Sequence, residues 1–293
     1  MNINIIFDLC LDDPLKSMIE LVPDRYNLLV EPLKEVTINN LFARSVVEKH
    51  VTGKVFVDNS QNPKAFYVIH PYGISLLFGD FNNPDFNNDF IDYALNKRHF
   101  RTRFEWLQTY PRDWDSVICD LLKNKLIKQS DNTKSLEKGI VELNTRVNFK
   151  FSKDKYFQTN RNLGNQNYSI IQTGFDEFAE MIGSVIPQYF WNNANDFIKN
   201  GVGFSLIDNG SIASTAYSAF VHDDKLEIGI ETVEQYRGKG YAEKTCAKLI
   251  DYCIKRNLEP IWSCKLENQP SFKLAQKLGF EPTIMIPFYR LSK

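Results

Sequence analysis

One stretch of sequence decides the fold: Gln235-Tyr236-Arg237-Gly238-Lys239-Gly240-Tyr241-Ala242. It follows a run predicted to form a strand, Leu226 to Thr232, and precedes a helical pattern from about Tyr241 to Arg256. Small residues at alternating positions let an anion approach the backbone, and the unpaired N–H groups at the start of the helix point at that anion along the positive end of the helix dipole. The loop therefore predicts a cradle for a diphosphate.

The residues of this loop do not match two commoner phosphate-binding motifs. A GxGxxG dinucleotide loop would need glycine at the position held by Glu243, and a Walker loop would need Lys-Ser or Lys-Thr after its second glycine. The segment 237–256 carries six basic and two acidic residues. This local excess of positive charge favours a highly phosphorylated ligand.

A second block lies downstream: Asn268-x-x-Ser271-x-x-Leu274-Ala275-x-Lys277-Leu278-Gly279-Phe280. The first motif resembles the pyrophosphate-binding motif of the GNAT superfamily of N-acetyltransferases, and the second block is similar to the closing helix and glycine turn of that superfamily. The fuller pattern, with Phe204, Glu227 to Thr232 and Trp262-Ser263-Cys264, resembles a bacterial two-domain GNAT family. In that family a poorly conserved front half precedes the acetyltransferase half.

The resemblance implies a mixed α/β chain of class α+β with two domains. The C-terminal domain, 159–293, is expected to have a GNAT fold with a mixed, mostly antiparallel sheet flanked by helices. The N-terminal domain, 1–158, is expected to be a degenerate GNAT-like α/β domain. Its runs of β-branched and aromatic residues predict antiparallel strands, listed by position as 54–58, 65–69 and 74–78. The boundary is placed in the polar stretch from Ser152 to Asn167.

Apolar spacing and turn residues predict further elements. Helices are expected at 86–95, 113–122, 176–185, 193–199, 241–256 and 270–278. In the C-terminal half, strands are expected at 168–172, 203–207, 213–221, 226–232, 260–264 and 284–291, with Asn209-Gly210 as a hairpin turn.

Acetyl-CoA is the cosubstrate that the resemblance implies, with its diphosphate on the loop amides and its pantetheine arm beside the strand that ends at Thr232. The thioester would lie where that strand and the strand 260–264 separate. The residues expected to bind the coenzyme are Ile230, Thr232, Gln235, Tyr236, Arg237, Gly238, Lys239, Gly240, Tyr241, Ala242, Asn268 and Ser271.

The reaction of the superfamily is direct attack of an amine on the thioester, which calls for a base and an acid. Glu227 and Glu231 are four positions apart in a predicted strand. Because side chains of a strand alternate between its two faces, both glutamates lie on the same face. We expect Glu231 to be the base, because it is nearer to the thioester, while a solvated strand face remains the alternative interpretation. The position often held by a tyrosine acid is Ala275, and Tyr289 on the last strand is a candidate to replace it.

Composition excludes several classes of function. The chain has 35 basic and 36 acidic residues and a formal net charge of −1, which does not favour binding to nucleic acid. Neither a signal peptide nor a long apolar run is found, so membrane association is not expected and the cytoplasm is the expected location. The five cysteines form no CxxC pair and the four histidines have no ligand spacing, so no metal is expected.

The sequence thus predicts an acetyl-CoA-dependent N-acetyltransferase that acts on the amine of a small molecule. The alternative is a non-catalytic CoA-binding or regulatory module, because no tyrosine occupies position 275 and the front half has no recognisable site. The acceptor and the oligomeric state are left open.

Overall fold

The computed structural model describes residues 17–128, 137–158 and 168–293. The helices in these ranges are α1 (Val30–Lys34), α2 (Leu41–Val47), α3 (Pro84–Ala94), α4 (Asp113–Leu122), α5 (Lys153–Gln158), α6 (Phe175–Glu180), α7 (Ala194–Asn200), α8 (Tyr241–Lys255) and α9 (Gln269–Lys277). The strands are β1 (Ile19–Glu20), β2 (Lys54–Val57), β3 (Ala65–His70), β4 (Ile74–Gly79), β5 (Glu105–Tyr110), β6 (Leu126–Lys128), β7 (Val141–Phe151), β8 (Tyr168–Gln172), β9 (Gly203–Asp208), β10 (Ser211–His222), β11 (Lys225–Thr232), β12 (Glu259–Ile261), β13 (Ser263–Lys265) and β14 (Phe280–Leu291).

These strands form two mixed sheets. The first, which we call the large sheet, has the order β1-β2-β3-β4-β5-β14-β7-β13, with β6 paired beside β7. The second, the small sheet, has the order β12-β11-β10-β9-β8. The α+β class and the mixed, mostly antiparallel sheet expected for the C-terminal domain are therefore confirmed.

The front half repeats the topology of the rear half. In the front half, β2, β3 and β4 are antiparallel, and α3 then leads to β5, which is parallel to β4. In the rear half, β9, β10 and β11 are antiparallel, and α8 then leads to β12, which is parallel to β11. This repetition fits the expectation of a GNAT-like front domain.

The two halves exchange strands. The final strand of the chain, β14, lies between β5 and β7 of the front half, and it pairs with β7 along its whole length. In the other direction β7 pairs with β13 of the rear half. The domain boundary near residue 158 stays a prediction. Strands from both sides of it are hydrogen-bonded to one another in the large sheet.

Three large apolar cores and a small fourth cluster around Leu206 and Tyr241 form among the described residues. One lies between the sheets and holds α2, the inner faces of β2, β3 and β4, and residues such as Phe220 and Phe288. A second packs α3 and α4 on the outer face of the large sheet, around Trp114 and Phe90. The third packs α8 and α9 around Trp262. Strand alternation decides which core each β14 side chain joins, because neighbouring residues point to opposite faces.

Most elements begin and end within a few residues of the sequence prediction. The Asn209-Gly210 turn has φ angles of 51° and 77°, which only glycine and asparagine adopt readily, and it joins β9 to β10 as the hairpin signal indicates. Part of the polar boundary stretch, 159–167, lies outside the described residues. No helix in the ranges that the structure describes is long and apolar enough to span a bilayer.

Two sequence predictions of element bounds are wrong. The helix expected at 176–185 ends at Glu180, because Met181 turns to extended backbone and the next residues bond to the side chain of Glu231. The single strand expected at 260–264 is divided at Trp262 into β12 and β13, which belong to different sheets. Local sequence patterns cannot predict either change. The first depends on the side chain of Glu231 and the second on pairing with strands of two different sheets.

The strand exchange predicts that neither half folds without the other. A fragment of residues 1–158 lacks β14 between β5 and β7, and a fragment of residues 159–293 lacks β7 between β13 and β14. We expect each fragment alone to aggregate, because its sheet has unpaired edges, and the two to form a soluble complex when they are coexpressed. Size-exclusion chromatography and circular dichroism measure this; a folded, monomeric single fragment would contradict it.

Candidate active site

The glycine loop at the start of α8 leaves its backbone open. Gly238 and Gly240 have φ angles of 81° and 76°, and a Cβ added at either would meet no atom within 4 Å. Gly240 is the N-cap of α8, and no side chain bonds to the first N–H groups of this helix. A long helix whose first amides face open space is a site suited to an anion.

The equivalent helix of the front half does not offer such a site. In α3 the side chain of Asn83 accepts a hydrogen bond from Phe86 N at 3.2 Å, and Asp85 places a negative charge in the first turn. The free amide is taken by the protein itself. The acidic residue is not the difference between the two helices, because α8 carries Glu243 in its own first turn, paired with Lys277 at 2.6 Å. Only the rear half therefore keeps an open anion cradle at this point of the repeated topology.

Two cations of the loop contact groups that hold it in place. Arg237 donates from Nε to Thr232 O at 3.2 Å, and its guanidinium lies 3.7 Å from Glu231 Oε1. The Lys239 ammonium lies 3.7 Å from Asp208 and over the ring of Tyr236. Both side chains are about half exposed or more, so their charges can turn to a ligand on the loop. Gln235 is exposed, and Ala242 lies in the first turn of α8.

A wedge opens between β11 and β13. The parallel ladder between β11 and β12 ends at the pair Glu227 and Ile261. From Ser263 onward the chain pairs with β7 of the large sheet instead. The last residues of β11, including Ile230 and Thr232, are therefore left without a strand partner on this side, as expected for the position of a thioester arm.

Glu231 lies at the rim of this wedge and is 9% exposed. Its Oε2 accepts hydrogen bonds from Ser184 N at 2.8 Å and Val185 N at 2.9 Å. The other oxygen, Oε1, faces Arg237 of the glycine loop, so this one side chain connects the segment after α6 with the cradle.

Glu227 points to the same face but has a different environment. It accepts hydrogen bonds from Ser263 Oγ at 2.6 Å and from Asn39 Nδ2 at 2.9 Å, and it lies 3.5 Å from the buried guanidinium of Arg146. Three elements of the chain meet here: the loop before α2, β7 and β13. Burial lowers the pKa of Arg146 and the charge of Glu227 raises it.

Comparison with known proteins agrees with this geometry. The sequence profile of the family described as GNAT acetyltransferase matches residues 31–289. The chain belongs to the GNAT acetyltransferase family. It is thus an acyltransferase, and the resemblance seen in the sequence is confirmed.

Relatives of this GNAT chain match along most of its length. A protein named uncharacterized N-acetyltransferase YdfB, from Bacillus subtilis (strain 168), is 25% identical over 248 residues, which cover 85% of this chain and 89% of the relative. A GCN5-related N-acetyltransferase-like protein from Streptococcus suis has a TM-score of 0.66 at 19% identity, with 90% and 98% of the two chains covered. A tandem GNAT protein of clavulanic acid biosynthesis has a TM-score of 0.59 at 10% identity, with 93% and 97% covered. These structural likenesses show the fold.

Tyr217 is a residue of the GNAT site that the sequence reasoning missed. Its ring crosses β11 above Gly229, where an added Cβ would lie 2.5 Å from the ring carbon that carries the hydroxyl. The hydroxyl is buried and has no hydrogen-bond partner among the described residues. Burial raises the pKa of Tyr217 well above its usual range, with smaller contributions from Tyr72 and Glu231. The signal in the sequence is Gly229 itself, a glycine in the interior of a strand between two glutamates.

Tyr72 shows that the front half reaches this face. It lies in the turn between β3 and β4 and stacks on Phe190 at 4.4 Å, and Phe190 in turn contacts Tyr217. Burial raises the pKa of Tyr72, and Arg146 opposes this shift. The candidate site therefore lies between the two halves.

The structure does not bring Tyr289 to the carboxylates. Its hydroxyl donates to Asp115 on α4 at 2.7 Å, and its ring lies in the core on the outer face of the large sheet. Phe288, one residue earlier, faces the space between the sheets. The prediction for Tyr289 is wrong because neighbouring side chains of a strand point to opposite faces, and Tyr289 lies on the face away from the carboxylates.

Asn268 and Ser271 lie at the start of α9, where they have structural contacts. The Asn268 side chain accepts a hydrogen bond from Ser271 N and caps the helix, and Ser271 Oγ accepts one from the indole of Trp262. Tyr241 donates its hydroxyl to Asp208, which fixes the first turn of α8. None of these contacts removes the residues from reach of a coenzyme, and their binding roles remain predictions.

An unusual row of polar side chains lies on the inner face of β7. Asn144, Arg146 and Asn148 alternate there, and Gln108 of β5 faces the same space; all four are buried. Six of their polar atoms have no hydrogen-bond partner among the described residues: both amide atoms of Gln108 and of Asn148, Asn144 Oδ1 and Arg146 Nε. At about 1–3 kcal/mol each, such a row costs as much as the whole net stability of about 5–15 kcal/mol that a domain has. Folding alone does not account for it.

Other features do not contribute to this site. A cavity of about 620 Å³ lies in the front half, lined by residues such as Tyr26, Tyr93 and Phe104, and no residue of β11 takes part in it. No cluster of three or more potential metal ligands occurs in the ranges that the structure describes.

The open cradle predicts that Gly238→Val and Gly240→Val lose acetyl-CoA affinity by at least about 10-fold. A branched side chain would occupy the space above the loop amides and strain a positive φ. The matched control is Gly139→Val in the front half, where φ is 72° and an added Cβ lies no nearer than 3.8 Å to any atom. It should lose similar thermal stability but bind normally. Isothermal titration measures the affinities, and unimpaired binding by a folded loop variant would refute the cradle.

Proposed function

We propose that this chain transfers the acetyl group of acetyl-CoA to the amine of a small molecule. The observation that carries the proposal is the conjunction of the uncapped glycine loop at α8 with the wedge beside β11. An anion on the loop and an extended arm along the free edge of β11 would bring that arm past Glu231 toward Glu227, where the ladder between β11 and β12 ends. Membership of the family supports the same reaction class.

Glu231 is proposed as the base. Its Oε2 is occupied by two amide donors, while Oε1 is paired only with the exposed Arg237 at 3.7 Å. A diphosphate on the loop would attract Arg237 and leave Oε1 for the ammonium group of the acceptor. Glu227, held by Arg146, Ser263 and Asn39, is better suited to join the halves.

Tyr217 is proposed to donate a hydrogen bond to the carbonyl oxygen of the thioester. Its hydroxyl has no other partner among the described residues and extends over Gly229 toward the wedge. Burial raises the pKa of Tyr217 well above its usual range, so the hydroxyl stays protonated at neutral pH. A fixed donor in a desolvated site stabilises a developing oxyanion.

In the proposed reaction Glu231 takes one proton from the ammonium group, and the lone pair of the amine forms a bond to the carbonyl carbon. The π electrons move to the oxygen, which Tyr217 holds without giving up its proton. When the carbonyl re-forms, the C–S bond breaks, the attacking nitrogen loses its second proton to the departing sulfur, and CoA leaves as the thiol. Glu231 then releases its proton to solvent.

Isothermal titration with acetyl-CoA and CoA, followed by a thiol-release assay with a panel of amines, tests the proposal. Binding with turnover is expected. No binding at tens of micromolar would refute it. Binding without turnover across the panel would favour the second candidate, a non-catalytic CoA-binding module, for which the alanine at position 275 is the motivating observation.

Glu231→Gln should reduce turnover by about 10²-fold or more at neutral pH while acetyl-CoA binding persists. The amide keeps an oxygen for the Ser184 and Val185 donors but cannot accept the proton. The loss should shrink as pH rises, because the acceptor amine is then already deprotonated. Rates measured between pH 6 and pH 10 check this, and a loss that is independent of pH would assign Glu231 to acceptor binding.

Glu227→Gln is the matched control on the same strand face. It leaves the buried Arg146 without an opposite charge and should lower the free energy of unfolding by about 3 kcal/mol. Turnover by the folded fraction should retain the parental pH profile. If this variant instead shows the loss that disappears at high pH, the base is Glu227.

A further inference from the structure

The polar row on β7 lies at the wedge. Asn148 is paired with Ser263, the first residue of β13, and Ser263 Oγ accepts a hydrogen bond from Arg146 at 2.6 Å. Ser263 also donates to Glu227 of β11. The row therefore forms the wall of the wedge that faces the catalytic strand, and it is supplied by the front half of the chain.

Five of the six polar atoms on this wall that have no partner among the described residues belong to carboxamides, and the sixth is Nε of Arg146. Asn148 and Gln108 present complete carboxamides, each with a carbonyl oxygen and an NH2 group that bond to no described residue. Asn144 adds an unpartnered carbonyl oxygen, since its NH2 group bonds to Glu142. Such neutral side chains suit partner groups that are themselves both donors and acceptors.

We propose that this row binds the acceptor, and that the acceptor is an amine that also carries hydroxyl or carboxamide groups. The inference rests on the proposed acetyl transfer, for which it names the class of substrate. The amine would meet Glu231 on one wall of the wedge, and the neutral polar groups would meet the row on the other. Asn144 and Asn148 lie four residues apart on β7, a distance of about 13 Å, and Gln108 lies two strands away from β7. A small acceptor therefore contacts part of the row, and a longer one contacts more of it.

The charges of the site disfavour other acceptors. The charge of Arg146 is already balanced by Glu227, and its Nε, which bonds to no described residue, is the donor that this residue adds to the row, so Arg146 itself does not favour an acidic acceptor. Glu231 is the carboxylate left for one ammonium group, which does not suit a polyamine. A purely apolar amine would leave these buried amides without hydrogen-bond partners. A site built to form hydrogen bonds rejects ligands that lack the matching groups.

The row is closed from solvent in the structure, so binding of an acceptor there requires side chains of the two walls to move apart. Tyr72 and Phe190, whose rings stack at 4.4 Å, lie on the opposite side of this space. Changes of side-chain rotamer at a binding surface commonly accompany binding.

Four probe amines test the class of acceptor: glucosamine for hydroxyls, glycinamide for a carboxamide, phenethylamine for an apolar amine and spermidine for a polycation. We expect kcat/KM to be at least about 10-fold higher with glucosamine or glycinamide than with the other two. The better of the first two identifies which neutral group is recognised. A preference for phenethylamine or spermidine would overturn the inference.

Asn148→Leu and Gln108→Leu test the residues. Because they remove buried amides without partners, the variants should keep or gain thermal stability and should bind acetyl-CoA as the parent does. KM for the preferred probe should rise about 10-fold or more, with little change for phenethylamine. The control is Asn87→Leu on α3, which also has a buried, unpartnered amide oxygen. It should lose stability with its bond to Phe81 O but keep the parental KM.

The outcomes separate the two proposals. If the parent binds no acetyl-CoA, or releases no thiol with any probe, the proposed function fails and this inference fails with it. If the parent acetylates a probe and the Asn148→Leu and Gln108→Leu variants keep its KM, only the assignment of the row is refuted. A loss of stability in these variants equal to that of Asn87→Leu, without a change in KM, would make the row purely structural.

Discussion

The exchange of β7 and β14 between the two halves is the constraint on which the rest of the structure depends. Each half ends in a strand that completes the sheet beside the other half, so the large sheet is built from both ends of the chain. The interior between the sheets then has walls from the front and the rear half, and β11 contacts residues that precede it by about 80 to 190 positions. A GNAT domain alone would lack one of these walls.

The same topology occurs twice, but the ends of its helices have diverged. At α3 the chain satisfies its own first amides with Asn83, and at α8 it leaves them open beneath two glycines of positive φ. A repeated fold thus carries one anion cradle. The front half contributes to the candidate site through Asn39, Tyr72 and the inner face of β7. This gives it a physical role although the glycine loop lies in the rear half.

Glu227 and Glu231 illustrate how environment separates two identical side chains on one strand face. Glu227 is enclosed by Arg146, Ser263 and Asn39, so its charge is used to join elements. Glu231 holds a backbone segment with one oxygen and faces the exposed guanidinium of Arg237 with the other. The glycine between them makes room for Tyr217, and with it for a hydroxyl that no described residue bonds.

The sequence by itself determined the family, the glycine loop and most strands and helices. These depend on local residue patterns, namely turn glycines, helix caps and the spacing of apolar residues. It also placed both glutamates on one face. Only the tertiary structure decided that Tyr289 faces α4, that 260–264 divides between two sheets and that the polar alternation of β7 is an interior wall. Pairing between distant strands fixes these features. A pattern of alternating polar residues is the same in sequence whether its polar face meets water or the opposite wall of a site.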